Sequence, residues 1–398
     1  MLNRLFWLLL FFIFSINISF AGGDDNGKYD PAETAIHHIG DGNVFTILDA
    51  ITIPLPVILY SKSRGFEFFH SGVFKSGHHE DGHYAYNGYV LHYGSIYRVL
   101  GDGFPQKGKI ELEDHCFGNR KEMIDGKEKD IKFVKYQGEE YIIEPRTTWD
   151  AGMLGGGVTS FYDLSITKNV LSIIMVCLLL FLLFRSISKA YIKSEGKAPR
   201  GLQGFMEPII IFLRDEVAKP FIGEHSYKKY LGLLLTIFFF ILGLNLFGQV
   251  PFLGSTNVTG NLTVTMVLAL IVFVYVNIRG TKYYWQHIFW MPGVPIPARI
   301  LLAVIEFLGL FIKPLTLMLR LAGNISAGHI AIISFIGLIF VFGEAGKNLT
   351  GATIGTVMAI PLTLFMMAIE LFVAFVQAFV FTMLTASYIG AAIEEHHH

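Results

Sequence analysis

The sequence predicts an all-α polytopic membrane domain with long tilted or membrane-parallel helical hairpins, preceded by a partly β periplasmic domain. Three observations carry that expectation. Hydrophobic residues make up 53% of the 398-residue chain and charged residues only 16%, against about 25% charged in an average soluble domain. The charges are unevenly placed: residues 22–165 hold 22 acids and 14 bases, whereas residues 231–393 hold nine charged side chains in 163 positions. Beyond residue 165 come five apolar runs, each near or above the ~20 residues that cross a bilayer core. This pattern argues against a soluble enzyme. With a net charge of −1 there is no basic excess to draw nucleic acid.

Taken in order, residues 1–21 read as a signal peptide. Arg4 supplies the basic start, Leu5–Phe14 the apolar stretch, and Ser19-Phe20-Ala21 a small-x-small cleavage site. Residues 22–165 form an acidic N-terminal domain. Tyr84–Leu100 and Ile131–Ile143 are rich in Tyr, Val and Ile and are broken by Gly, which favours short strands. His79 and His83 are four residues apart with acids between them, but the flanking glycines favour a solvated loop and no third ligand can be argued. Neither a metal nor a cofactor is expected. Cys116 and Cys177 fall on opposite sides of the composition boundary, so a disulfide between them is not expected.

Residues 166–395 form the membrane domain. Thr167–Phe184, Leu231–Val250 and Leu262–Ile278 each suit one span. Ala298–Phe342 and Thr353–Ile389 are too long for simple perpendicular crossings and must be tilted, broken or partly parallel to the membrane. The segment 185–230 carries nine Lys/Arg against five Asp/Glu, which places it in the cytoplasm. Counting spans then puts residues 22–165 and the 251–261 loop outside, in agreement with the signal peptide.

The last two runs contain charges that need a reason to be there, because an arginine at the bilayer centre costs about 2.5–3.5 kcal/mol on insertion scales. On a helix, Glu306, Lys313, Arg320 and Asn324 fall at about +40°, +20°, 0° and +40°, one polar stripe, with His329 at about 180° on the opposite side. Thr363, Glu370 and Gln377 recur every seven residues in the last run and make a second stripe. Carboxylates inside apolar runs mark ion or proton pathways. Lys313, just before Pro314, also suits an interfacial anchor.

Pro314-Leu-Thr-Leu-Met-Leu-Arg320-Leu-Ala-Gly-Asn324-Ile-Ser-Ala-Gly328-His329 resembles the signature of subunit a of the rotary F-type ATP synthase. Glu370 to Gln377-Ala-Phe-Val-Phe-Thr-Met-Leu-Thr-Ala-Ser-Tyr388 resembles that family's last helix. Asn245-Leu-Phe-Gly-Gln-Val-Pro251 and Thr259-Gly-Asn261-Leu-Thr-Val-Thr265 resemble its middle spans. The resemblance covers residues 166–395, and residues 22–165 inherit nothing from it. It implies a non-catalytic, proton-conducting stator subunit in the bacterial inner membrane, working against a c-subunit ring and held by the b-subunit peripheral stalk and other ATP synthase subunits. Arg320 would be the stator arginine, with Asn324 beside it and Gln377 on the neighbouring helix. Glu306 would belong to the cytoplasmic half-channel, His329 and Glu370 to the periplasmic one. Two departures stand out: the His329 and Glu370 positions are exchanged relative to many bacterial relatives, and Asn261 replaces a common Asp.

The chemistry suits these residues independently of the resemblance. Arginine stays charged where lysine can lose its proton, and His and Glu can be tuned toward neutrality for relay. A titratable His–Glu pair favours protons over sodium. The rival readings are an independent secondary ion transporter, for which no internal repeat is found, and a membrane-anchored periplasmic binding protein, which would not need Glu306, Arg320 and Glu370.

Overall fold

The computed structural model describes residues 40–47, 51–75, 81–101, 103–113, 116–124, 127–148, 157–193, 198–250, 256–291, 295–344 and 347–393. The signal segment, His79 and the terminal histidines lie outside the described residues. Two regions follow each other along the chain, strands first and helices second.

The strands are β1 Val44–Ile47, β2 Ile51–Pro54, β3 Pro56–Ser61, β4 Gly65–His70, β5 Tyr84–Tyr86, β6 Tyr89–His92, β7 Ser95–Val99, β8 Lys109–Glu111, β9 Phe117–Ile124, β10 Lys127–Tyr136, β11 Glu139–Glu144 and β12 Phe161–Asp163. They form a two-stranded ribbon β1-β2, a seven-stranded sheet β8-β5-β6-β7-β11-β10-β9 and a three-stranded sheet β12-β3-β4. Every pairing is antiparallel. Both stretches expected to be extended are strands, β5–β7 and β10–β11. Their hairpins turn at Asn87-Gly88 and Gln137-Gly138, where both residues have positive φ, the backbone twist that matches two-residue loops. Alternation along β6 explains the core. Tyr89 and Leu91 pack with Val57, Leu59 and Phe161 of the small sheet, while Val90 points the other way to Val99, Phe104 and Val134. The central sheet is therefore covered on both faces near β6.

The helices are α1 Lys168–Lys193, α2 Leu202–Phe212, α3 Lys219–Ile222, α4 Tyr227–Gly248, α5 Leu262–Arg279, α6 Lys282–Phe289, α7 Ile296–Phe342 and α8 Leu349–Ile393. A single π-helical segment, Leu213–Ala218, joins α2 to α3. Among the described residues, five helices (α1, α4, α5, α7 and α8) are long and apolar enough to cross a membrane, and each overlaps one of the five expected runs. They display apolar side chains outward, such as Phe181 on α1 and Phe372 on α8, which are 60% and 68% exposed. That surface suits lipid rather than water.

The junction is tied by hydrogen bonds. The Asp41 carboxylate accepts from the Asn169 amide at 3.2 Å, and the Lys168 amide donates to the Gly42 carbonyl at 2.8 Å. An acid thus faces the first turn of α1, where amides lack partners within the helix and negative charge is favoured.

At about 1.5 Å per residue, the 47 residues of α7 and the 45 of α8 extend roughly 70 Å each, well beyond a ~30 Å hydrocarbon core. The helix continues through Pro314. Only six residues separate α7 from α8, so the two lie antiparallel, and three contacts set their register. A side chain at Gly355 would meet Ile339, Glu370 meets His329, and Tyr388 meets Lys313.

Candidate functional site

The inward face of the α7–α8 pair holds one strong polar contact. Nδ1 of His329 and Oε1 of Glu370 share a hydrogen bond, and Glu370 is only 4% exposed. A buried carboxylate is expensive without a partner, and the imidazole supplies one. Gly328 makes the approach possible: a Cβ there would stand 3.1 Å from Glu370 Oε1 and 3.3 Å from its Cδ. The two positions expected to form a relay are thus brought together.

The stripe of Thr363, Glu370 and Gln377 faces inward, with Glu370 and Gln377 both buried. Following the α7–α8 register from Lys313·Tyr388 to His329·Glu370 brings Gln377 level with Ala322 and Gly323, in the same stretch of α7 as Arg320 and Asn324. Arg320 and Asn324 are exposed, at the edge of the strip of α7 that buries Leu317, Leu321 and Ile325. Among the described residues, no hydrogen bond or ion pair engages the Arg320 guanidinium, and none joins it to Gln377. Its cation is presented outward from the helix pair.

Glu306 and Lys313 stand on the other side of Arg320 along α7, half-buried. The Lys313 ammonium lies 5.5 Å from the centre of the Tyr388 ring, a cation–π distance, so the lysine has a partner inside the bundle rather than serving only as a surface anchor. Asn277, Tyr284, Lys313, Pro314 and Tyr388 line one cleft. The Tyr284 hydroxyl donates to Asn277 Oδ1 at 3.3 Å. Burial lifts that phenol above its ordinary pKa, and the neighbouring Glu306 carboxylate adds to the rise. Asn277 and Tyr284 belong to this group but carry no periodic sequence signal that would single them out.

A second set of polar residues, which the sequence marks only as parts of the resembling motifs and gives no site role, lies near the His329–Glu370 pair. Asn245 on α4 donates to the Ala374 carbonyl at 3.2 Å, one turn beyond Glu370. Thr259 donates to Asn245 Oδ1 at 2.6 Å, and the Ser326 hydroxyl donates to the Gly260 carbonyl at 3.1 Å. The segment before α5 is therefore bound to both α4 and α7. Asn261 caps α5, its side chain accepting from the Thr263 amide at 3.0 Å, the ordinary work of an N-cap. Among the described residues there is no cluster of three or more metal-ligating side chains.

Five long apolar helices that carry an exposed cation, with a buried His–carboxylate contact on one side and the half-buried Glu306 on the other, are the pattern of an ion-translocating membrane subunit. The comparisons with known proteins are specific. The family described as ATP synthase A chain matches residues 170–390, and the chain belongs to that family. Similar proteins include ATP synthase subunit a of Pelodictyon phaeoclathratiforme, 42% identical over 237 residues, 58% of this chain and 66% of that protein. ATP synthase subunit a of Chlorobium phaeobacteroides is 40% identical over 248 residues, 60% of this chain and 69% of its own length. One from Anaeromyxobacter dehalogenans is 42% identical over 215 residues, covering 52% of this chain and 53% of that protein. The chain thus spans about two thirds of the first two relatives and about half of the third. Residues 34–126 match a separate family, described as a domain of unknown function (DUF8433).

Proposed function

We propose that this chain is the proton-conducting stator subunit of an F-type ATP synthase, with two half-channels that meet a ring of c subunits at Arg320. The supporting observation is the division of polar groups along α7 and α8. His329 and Glu370 form the uptake group, Glu306 lies toward the opposite end, and Arg320 with Asn324 stands exposed between them, level with Gln377. A c-ring carboxylate arriving at Arg320 is held ionised by the fixed cation, and its proton is exchanged on either side. Arginine suits this position because it keeps its charge when poorly solvated. The membrane field supplies about 2.3 kcal/mol per charge per 100 mV.

In this reading the chain makes and breaks no phosphate bond itself. Its two Gly-x-x-x-x-Gly-Lys stretches, Gly22–Lys28 and Gly103–Lys109, are followed by Tyr29 and Ile110 rather than by the Ser or Thr that a nucleotide-binding loop requires. Rotation of the ring passes the energy to other subunits, and the b-subunit stalk holds this chain still. The β region lies on the periplasmic side of an inner membrane, following removal of residues 1–21. In this reading residues 22–165 form the domain outside and residues 166–395 the domain in the bilayer.

The test is Glu370→Gln alone and together with the exchange His329→Glu/Glu370→His. The first removes the proton acceptor and lowers ATP-driven pumping per assembled complex by a factor on the order of 100 or more. The exchange keeps one carboxylate and one imidazole, and restores part of the rate. Unchanged pumping by Glu370→Gln would remove the pair from the conduction path.

A further inference from the structure

We propose that Thr256 and Asn257 bind the water through which a proton reaches Nε2 of His329. The inference rests on the proton-conducting reading above and adds the outer step of its uptake path. A relay imidazole needs both ring nitrogens. Nδ1 of His329 is taken by Glu370, so the proton must arrive at Nε2. That atom faces the end of α4: a Cβ at Gly248 would lie 4.0 Å from His329 Nε2 and 2.5 Å from the Thr256 carbonyl oxygen. The missing side chain leaves Thr256 and the imidazole closing over the same spot.

Thr256 and Asn257 are each only 1% exposed, yet Thr256 Oγ1 and Asn257 Nδ2 make no hydrogen bond among the described residues. Gln249 Nε2, at the end of α4, is unpartnered in the same way. Buried polar atoms are nearly always bonded, to protein or to ordered water, and a buried water takes two to four polar partners. Gln249 follows Gly248 directly, and Thr256, whose carbonyl closes over the same spot as Nε2, is followed by Asn257, so these unpaired groups sit on the segments that meet at that spot. The arrangement is also held firmly, because Asn257 Oδ1 accepts from the Gly260 amide at 2.9 Å and Thr259 is bonded to Asn245. The segment 256–265 contains no carboxylate, and Asn261 is engaged at its helix cap. Neutral hydroxyl and amide groups, not a further acid, therefore conduct the proton as far as the histidine.

The step balances as follows. A protonated water held by Thr256 and Asn257 adds its proton to Nε2, the Nδ1 proton passes to the Glu370 carboxylate, and a neutral water remains. The imidazole is left protonated on Nε2, and exchange of that proton through water for one on Nδ1 restores the starting tautomer.

The test uses the assembled complex, with pumping measured per complex after reconstitution. Thr256→Val, which removes the hydroxyl at constant volume, lowers proton translocation about tenfold, the equivalent of about 1.4 kcal/mol for one unmet buried bond. Asn257→Leu does the same, whereas Thr256→Ser retains the rate. In a background with Cys116 and Cys177 replaced, silver ion added to Thr256→Cys blocks the remaining flux. Phe381→Cys, in the apolar core, is unaffected. The proposal is overturned by wild-type rates in Thr256→Val and Asn257→Leu, by equal losses in Thr256→Ser and Thr256→Val, or by silver leaving Thr256→Cys untouched. Failure of the underlying reading has a different signature, namely coupled ATP synthesis that survives Arg320→Lys.

Discussion

In the β region the buried phenol of Tyr89 donates to Glu67 at 3.0 Å, Arg64 reaches the Asn87 carbonyl and the Gln106 side chain, and buried His92 meets Asp81 at 3.0 Å. In the helical region Arg320 stands exposed without an ionic partner among the described residues, and Thr256, Asn257 and Thr363 carry buried atoms with no protein bond. The first region pairs these titratable groups internally, as a self-contained fold must, although Ser61, Thr148 and Ser160 also carry buried hydroxyls without a bond among the described residues. The second leaves a cation open to an apolar surrounding, where exposure is costly, and that choice makes sense only if another protein or water completes it. Under the proposed function, the contrast separates side chains that hold the fold from side chains assigned to transport.

The comparison can be sharpened by substitutions that affect one region only, beginning with the largest effect. Gly328→Val places a branched side chain where even a Cβ would stand 3.1 Å from Glu370 Oε1. The carboxylate is displaced by about an ångström, and proton pumping falls by a factor on the order of 100, while the thermal stability of the β region is unchanged. Pumping at the wild-type rate would show that the His329–Glu370 contact is not needed for conduction.

Next, Asn245→Leu leaves Thr259 without its acceptor and the Ala374 carbonyl without its donor. The loss is about 1–3 kcal/mol per unmet buried group, read as a lower unfolding temperature of the detergent-solubilised chain. If conduction falls far more than stability does, Asn245 belongs with the transport set rather than with the scaffold.

The smallest effect is expected in the β region. Burial, with the Glu67 carboxylate adding to it, pushes the Tyr89 phenol from 10.0 up to about 12. A raised pKa means that the folded state favours the protonated phenol. Its contribution is complete below pH 10 and is lost as pH rises toward 12. Tyr89→Phe therefore lowers stability by about 1 kcal/mol at neutral pH. The difference from wild type shrinks across that alkaline window, measured by denaturant unfolding of the full chain. A difference that stays constant from pH 8 to 12 would contradict it. Proton pumping should not change.

Much of this was legible before the fold. The five long helices follow from hydropathy alone, because a bilayer imposes one length scale on any apolar run. Tyr- and Ile-rich stretches with Gly breaks became β5–β7 and β10–β11 for equally local reasons. The polar stripe of Arg320 and Asn324 was readable because helical periodicity survives through Pro314. Other features depend on contacts distant in sequence. Glu370 and His329 are 41 residues apart, and spacing alone did not reveal their pairing, although complementary chemistry and family resemblance suggested it. Asn245, Thr256 and Thr259 sit at the ends of helices and in a short connection, where no period marks them. Lys313 also reads as a surface anchor in the sequence, because the Tyr388 ring that receives it lies on another helix.

The central claim is that the charge of Arg320 organises transport rather than anchoring α7. The direct measurement is Arg320→Lys in inverted vesicles, with assembly verified, following ATP synthesis and passive proton permeability together. A stator role predicts loss of synthesis, because lysine lacks the planar guanidinium and can surrender its proton, with less passive leak than in Arg320→Ala. A snorkelling anchor would accept lysine equally well, so normal coupled synthesis in Arg320→Lys would contradict the account.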